Sequence, residues 1–295
     1  MPTVTIIGAG RMGGALAVAL SRVGYAIDKF VIRSKRSDLT FSRHINGSPA
    51  VSNWEDLDGI NSDLVLITTQ DSEIANAAKS LKPFATGGQV VLHTSGALSA
   101  AVLSGLGSTG AAVGSMHPLV AISDAVSGAE KFEDSYFCLE GDAGAVAAAQ
   151  NMVSDLGGKA FSIDTRFKAL YHAGAVMAAG HVVALLSMSL EMLAKCGITD
   201  IEAREIVKPL VKSTIDNVFA VGPERALTGP FARADAETFE GHLEILRETV
   251  NENVLETYLS LAKRSLEIAA EKQRQPARFE NLQEKVLIEK KRTEC

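Results

Sequence analysis

The chain opens with a β-branched run, Val4-Thr5-Ile6-Ile7, that passes straight into Gly8-Ala9-Gly10-Arg11-Met12-Gly13. A run of this kind reads as a buried strand. Beyond the glycines, Met12, Leu16, Ala19, Leu20 and Val23 recur at helical spacing, and Gly24 supplies a stop signal. The pattern predicts strand, glycine turn and helix in direct succession. Each glycine has a distinct task in such a unit. Gly8 permits the tight turn, Gly10 lets the backbone approach a pyrophosphate, and Gly13 lets helix and strand pack closely. Free N–H groups and the positive helix end then face the phosphates. A dinucleotide site built on Gly8, Gly10, Arg11, Met12 and Gly13 is the expectation, against the alternative of a glycine-rich turn with no ligand.

The end of the second strand decides which dinucleotide. Lys29-Phe30-Val31-Ile32-Arg33 reads as that strand. A carboxylate about 20 residues past the glycines would bind a ribose 2′-hydroxyl and repel a 2′-phosphate. Arg33 stands there instead, followed by Ser34, Lys35 and Arg36. Guanidinium groups pair with phosphate in a bidentate way, so Arg33, Ser34 and Arg36 predict NADP rather than NAD. The alternative is a solvated basic loop.

Further strands are expected at Asp63 to Thr69, Gly88 to Thr94, Ala111 to Ser115, Tyr136 to Leu139 and Lys159 to Ile163, with a short one near Ala50-Val51. Helices are expected over Glu73 to Leu81 and Ala143 to Leu156. Alternation of strand and helix predicts an α/β fold with a doubly wound sheet, here over residues 1–164. From Arg166 onward no strand pattern recurs, and residues 165–295 are read as an all-helical domain for substrate binding and dimerisation. Its first helix is expected to run from Arg166 to Lys195. Thr199-Asp200-Ile201-Glu202 is a capping box for the next, and the last residues read as a frayed or partly helical tail.

With 295 residues, 46% hydrophobic and 22% charged, the chain has room for two cores. A net charge of −6 argues against nucleic acid or an anionic membrane as the main partner. Cys138, Cys196 and Cys295 are scattered, with no metal-ligand spacing and no disulfide framework, which suits a cytoplasmic location. No basic-then-apolar leader precedes the first strand. Ala173 to Leu190 carries no charged side chain and approaches the length of a membrane span. A central helix buried on all sides is the preferred reading, with His181 as a satisfied core histidine.

A nicotinamide enzyme leaves hydride chemistry to its cofactor and supplies a proton or positive charge at the reacting atom. Ligands gather beyond the carboxyl ends of parallel strands, which nominates Thr69, Gln70, Asp71 and Thr94 for the cofactor. Ser95 and Gly96 are nominated for the substrate. Asp71 or Ser72, like Thr94-Ser95, would otherwise cap a following helix. His117 follows a strand end. Lys168 and His172, spaced i, i+4, share a helix face at the domain junction. These three are the candidate catalytic residues, each weighed against a structural role. In the loop Leu227 to Asp235, Thr228 and Arg233 are candidates to recognise an anionic group, and Asp235 is expected to cap the following helix.

At Gly8-Ala9-Gly10-Arg11-Met12-Gly13, His117-Pro118-Leu119, Lys168 to Ala173 and Leu227 to Asp235, the chain resembles Rossmann-like oxidoreductases that carry a helical C-terminal domain of unknown function. These are relatives of pyrroline-5-carboxylate reductase, deazaflavin-dependent NADP reductase and the β-hydroxyacid dehydrogenases. The resemblance implies an NADP-linked reductase whose helical domain often dimerises. Lys168 matches by helix position the lysine used by β-hydroxyacid dehydrogenases, although its flanking residues depart from their glycine-rich pattern. His181 stands where the family has Asn, and Arg233-Ala234-Asp235 departs from an Arg-Gly-Asp-like triplet; both departures imply a changed substrate. The function expected is reduction of a small, carboxylate-bearing carbonyl or imine compound by a homodimer. The alternative is a dinucleotide sensor that keeps the fold without turnover.

Overall fold

The structure, a computed structural model, describes residues 1–33, 39–270 and 276–293. Eight strands run in chain order: β1 (Thr3–Ile7), β2 (Ala26–Val31), β3 (Ala50–Ser52), β4 (Leu64–Ile67), β5 (Val90–His93), β6 (Ala112–Pro118), β7 (Tyr136–Gly141) and β8 (Lys159–Phe161). They form one sheet in the order β3-β2-β1-β4-β5-β6-β7-β8. All neighbours are parallel except β6 and β7, which are antiparallel. The chain starts at β1, steps outward to β2 and β3, then returns to β4 on the other side. This reversal opens a crevice at the carboxyl end of β1.

Both sheet faces are covered, by α1 (Arg11–Arg22), α2 (Asp71–Leu81), α3 (Ala125–Gly128) and α4 (Ala143–Asp155), with 3-10 turns between. Side chains alternate across a strand, and the cores divide accordingly. Val4, Ile6, Phe30, Leu66, Leu92 and Met116 pack with α1 and α4, whereas Ile7, Val31, Val65, Ile67, Val91 and Val113 pack with α2 and residues 100–109. The doubly wound reading of the sequence is therefore correct.

Contacts divide the chain into two compact units, Met1–Gly180 and His181–Cys295. The expected boundary, 164/165, falls before α5 (Lys168–Ala178), which packs on β6 and β7 through Lys168 and Tyr171 and belongs to the first unit. The second unit holds α6 (Gly180–Lys195), α7 (Asp200–Val221), α8 (Pro223–Ala226), α9 (Ala236–Thr249), α10 (Glu252–Ala270) and α11 (Pro276–Thr293). Its core joins Phe239 and Leu243 of α9, Leu259 and Leu266 of α10, and Phe279, Leu282 and Val286 of α11.

Several local expectations change. β2 ends at Val31, so Arg33 stands just past the strand. The single helix expected over 166–195 is two helices, separated at Ala179, whose φ of −123° and ψ of −75° leave the helical region. That apolar segment is not a buried central helix either. Residues 165–195 are long and apolar enough to cross a membrane, and none of their most apolar window is buried within this chain. His181 is exposed rather than a core histidine. The tail is a formed helix, because Phe279, Leu282 and Val286 repeat at helical spacing and are buried. No side-chain bond caps α2, so neither Asp71 nor Ser72 has the capping role. The capping box at Thr199 and Glu202 and the Asp235 cap of α9 form as expected.

Candidate functional site

The glycine turn has the geometry its spacing implies. Gly8 adopts φ +98°, a backbone that favours glycine. A Cβ on Gly13 would lie 2.1 Å from the Gly8 carbonyl oxygen and 2.4 Å from Thr68 Oγ1, so helix and strand meet there backbone to backbone. A Cβ on Gly10 would meet nothing within 4 Å, and Gly10 caps α1 without any side-chain bond. The first turn of α1 holds no acidic residue. At the end of β4, Thr68 Oγ1 donates to the Ile7 carbonyl at 3.2 Å, and Thr69 Oγ1 is buried without a partner among the described residues. Open space at Gly10, uncapped helix N–H groups and an orphaned buried hydroxyl together fit the phosphates and ribose of a dinucleotide. Arg33, exposed, pairs with Glu73 of α2 at 2.7 Å. Ser34 and Arg36 lie outside the described residues. Gln70 is exposed at the start of α2.

Three strands along the same carboxyl edge lies a second cluster. Lys168, Tyr171 and His172 fall at i, i+3 and i+4 and so occupy one stripe of α5. That stripe meets β6 and β7 where antiparallel pairing sets Ser115 opposite Glu140 and His117 opposite Cys138. Lys168 and Tyr171 each meet one cross-strand pair. Lys168 donates to Ser115 Oγ at 2.6 Å and forms an ion pair with Glu140. Glu140 also accepts from the Ala100 backbone at 3.1 Å. Lys168 is 2% exposed and the Glu140 side chain 10%, so the ion pair is buried. The Tyr171 hydroxyl lies 2.7 Å from His117 Nδ1, and the Cys138 thiol sits against the same hydroxyl.

His117 and His172 stack edge to face, ring centres 5.7 Å apart. Both line a cleft of about 380 Å³ whose remaining wall is apolar: Pro118, Leu119, Val120, Ala121, Ala175 and Val176. Gly96 completes the seat from β5. A Cβ there would lie 2.5 Å from His172 Cδ2 and 2.6 Å from His117 Cε1, so only glycine fits beneath the two rings. His93 fastens this turn. It accepts the Ser95 N–H at Nδ1 (3.2 Å), so its proton sits on Nε2 and goes to the Ser99 carbonyl at 3.2 Å. The Ser95 hydroxyl accepts from the Ala97 and Leu98 backbone, and Thr94 continues the ladder to Ile67.

Burial pushes the His117 pKa down to about 4, helped by the nearby His172 ring and the Lys168 ammonium and opposed by Asp71. Burial does the same to His93, to about 4. Both are neutral imidazoles at neutral pH. Burial raises the Cys138 thiol and the Tyr171 hydroxyl above their ordinary ranges, so both keep their protons.

Of the sequence candidates, His117, His172 and Gly96 come together at the cleft. Lys168 lies in the same cluster, but its ammonium is spent on Glu140 and Ser115. Thr228 and Arg233 are exposed residues of the second unit. Glu140, Ser115, Tyr171 and Cys138 were not anticipated. Tyr171 was within reach of the helical-stripe argument, being three residues from Lys168. The other three required knowing that β6 and β7 are neighbours. Among the described residues no cluster has the makings of a metal site.

Residues 2–118 match a Rossmann-like domain, and residues 135–265 match the domain of unknown function DUF2520. No curated protein shows significant similarity to the chain. Solved structures share the fold over nearly its whole length. A Bacteroides fragilis protein provisionally described as an NADP oxidoreductase is 20% identical, covering 90% of this chain and 97% of its own, with a TM-score of 0.76. A reductive aminase from Aspergillus terreus, in complex with NADPH and ethyl levulinate, is 14% identical over 90% of this chain and 94% of its own, TM-score 0.64. Pyrroline carboxylate reductase from Plasmodium falciparum with NADP bound is 11% identical over 91% and 98%, TM-score 0.57.

Proposed function

We propose that this protein, a Rossmann-like domain followed by a DUF2520 domain, is an NADP(H)-dependent reductase of a small carbonyl or imine compound. The observation that carries the proposal is the shared carboxyl edge of the sheet. The open glycine turn at β1 and the histidine-walled cleft at β6 lie on it three strand spacings apart, about 14 Å. Relatives of the same fold hold NADP or NADPH and act on imines or pyrroline carboxylate by their descriptions. Here Gly8, Gly10, Gly13 and the start of α1 would hold the pyrophosphate. Thr69 would meet the ribose, and Arg33 the 2′-phosphate.

The nicotinamide, when bound, supplies a hydride. His117 donates a hydrogen bond, and then a proton, to the oxygen or nitrogen on which negative charge develops. A neutral imidazole suits this task because it donates without bringing a full charge into an apolar cleft. His172, packed edge to face on His117, fixes the ring's plane. Lys168, matched in charge by Glu140, stays beneath the cleft, and burial is what chiefly keeps His117 neutral.

The exposed apolar side chains of α6 and α7, among them Val183, Ile206, Leu210 and Phe219, are the surface we assign to a second copy of the chain.

The decisive experiment titrates purified protein with NADPH and NADH, then follows loss of NADPH absorbance against a panel of oxo acids, ketones and cyclic imines. NADPH binding with turnover of at least one compound is expected. Absence of binding by either coenzyme overturns the whole reading. Tight NADPH binding without turnover across the panel overturns the catalytic half and favours a sensor.

A further inference from the structure

We infer that Tyr171 locks His117 in the tautomer that carries its proton on Nε2, and so makes that nitrogen the donor at the cleft. The inference deepens the proposed reduction and rests on it for its purpose, but not for its geometry or its test.

Tyr171 OH and His117 Nδ1, 2.7 Å apart, share a single hydrogen. If Nδ1 carried the proton, Tyr171 would have to donate its own hydrogen to the Cys138 sulfur. Sulfur is a weak acceptor and an imidazole nitrogen a strong one. The reverse arrangement satisfies both rings: the phenol donates to Nδ1, and Nε2 keeps the ring proton. Nothing rotates the chain out of line, because Tyr171 is packed against Phe161 (ring centres 5.9 Å) and His117 (5.6 Å). Nε2 lies on the opposite side of the imidazole, beside Gly96. It has no hydrogen-bond partner among the described residues and is not sealed from solvent.

Loss of the Nε2 proton alone would leave an imidazolate. His117 therefore passes that proton to the substrate oxygen or nitrogen as a water in the cleft hands its own proton to Nε2; one hydroxide is released, and His117 and Tyr171 end with the protons they began with. Tyr171 is thus a positioning residue that touches neither substrate nor cofactor. The charged and titratable groups facing His117 are His172, Lys168, His93 and Asp71, and all stay in place when the Tyr171 hydroxyl is removed.

Long-range ¹H–¹⁵N correlation spectra of the uniformly labelled full chain test this without a substrate. At neutral pH, His117 Nδ1 should resonate as a bare acceptor and Nε2 as a protonated nitrogen. In Tyr171→Phe the two tautomers should mix. The His117 titration midpoint should rise by about 0.7 pH unit, the worth of one hydrogen bond to the neutral ring. A wild-type spectrum with the proton on Nδ1 overturns the inference, even if the variant misfolds. So does a Tyr171→Phe spectrum that leaves His117 unmoved. Either result would leave NADPH binding and turnover intact, so failure here and failure of the proposed function are separable.

Discussion

Lys168 forms a buried ion pair with Glu140, 28 residues earlier in the chain, and shares its remaining hydrogens with Ser115. Two charges removed from water hold only while both are present. Lys168→Met strands a carboxylate between β6 and α5, and should cost about 3–5 kcal/mol in urea denaturation. The double variant Lys168→Met, Glu140→Leu should recover most of that loss, because a matched apolar pair replaces a matched ionic one. Additive losses would show that the pair is not coupled.

The two neutral histidines make stability depend on pH. His93 and His117 have folded pKa values of about 4, below an ordinary 6.5. Between these values the unfolded chain binds the extra protons. Stability is therefore complete above about pH 6.5 and drains as pH falls toward 4, by on the order of 2–3 kcal/mol per histidine. Thermal unfolding at pH 5 and pH 7.5 should differ in this direction, and His93→Gln should flatten the dependence.

Gly10 and Gly13 should respond oppositely to alanine. Gly13→Ala forces a methyl into the Gly8 carbonyl and should destabilise the fold by about 3 kcal/mol or more. Gly10→Ala has open space around it and should leave stability within about 1 kcal/mol, while NADPH binding falls at least tenfold. Calorimetry on both variants separates a turn needed for folding from one kept for a ligand.

Arg33 bears on coenzyme choice. Arg33→Asp should weaken NADPH by about tenfold more than NADH, since only the former carries the 2′-phosphate. Glu73→Gln, which releases Arg33 from its ion pair, should tighten NADPH modestly. Equal losses for both coenzymes in Arg33→Asp would remove this residue from the phosphate site.

The apolar faces of the second unit predict self-association. Phe219 is 86% exposed and Leu210 66%. A homodimer is expected in sedimentation velocity, and Leu210→Asp with Phe219→Asp should give a folded monomer. A wild-type monomer, or a chain that partitions into detergent micelles, would overturn this assignment.

The dinucleotide turn was legible from the first thirteen residues because its requirements are local. A backbone that must bend and then pack leaves no choice but glycine at Gly8 and Gly13, and the space at Gly10 is left for a ligand's approach. The alternating helices and strands were legible for the same reason, as was the capping box at Thr199. The apolar segment 165–195 misled, since composition alone cannot distinguish a helix buried by its own chain from one that is not. The break at Ala179 left no mark either, because alanine and glycine at that point continue an apolar helical pattern.

Local periodicity therefore determined the strand–turn–helix opening and the two-sided sheet, but not where β6 stops: His117, expected beyond the strand end, lies inside β6 and pairs across to Cys138. Only the tertiary structure decided what Lys168 and His117 touch. Their partners, Glu140 and Cys138, come from a strand that runs antiparallel to its neighbour. That register depends on the path of the whole intervening chain, and no short-range spacing encodes it. Burial then keeps His117 a neutral imidazole at the cleft, while Glu140 matches the charge of Lys168.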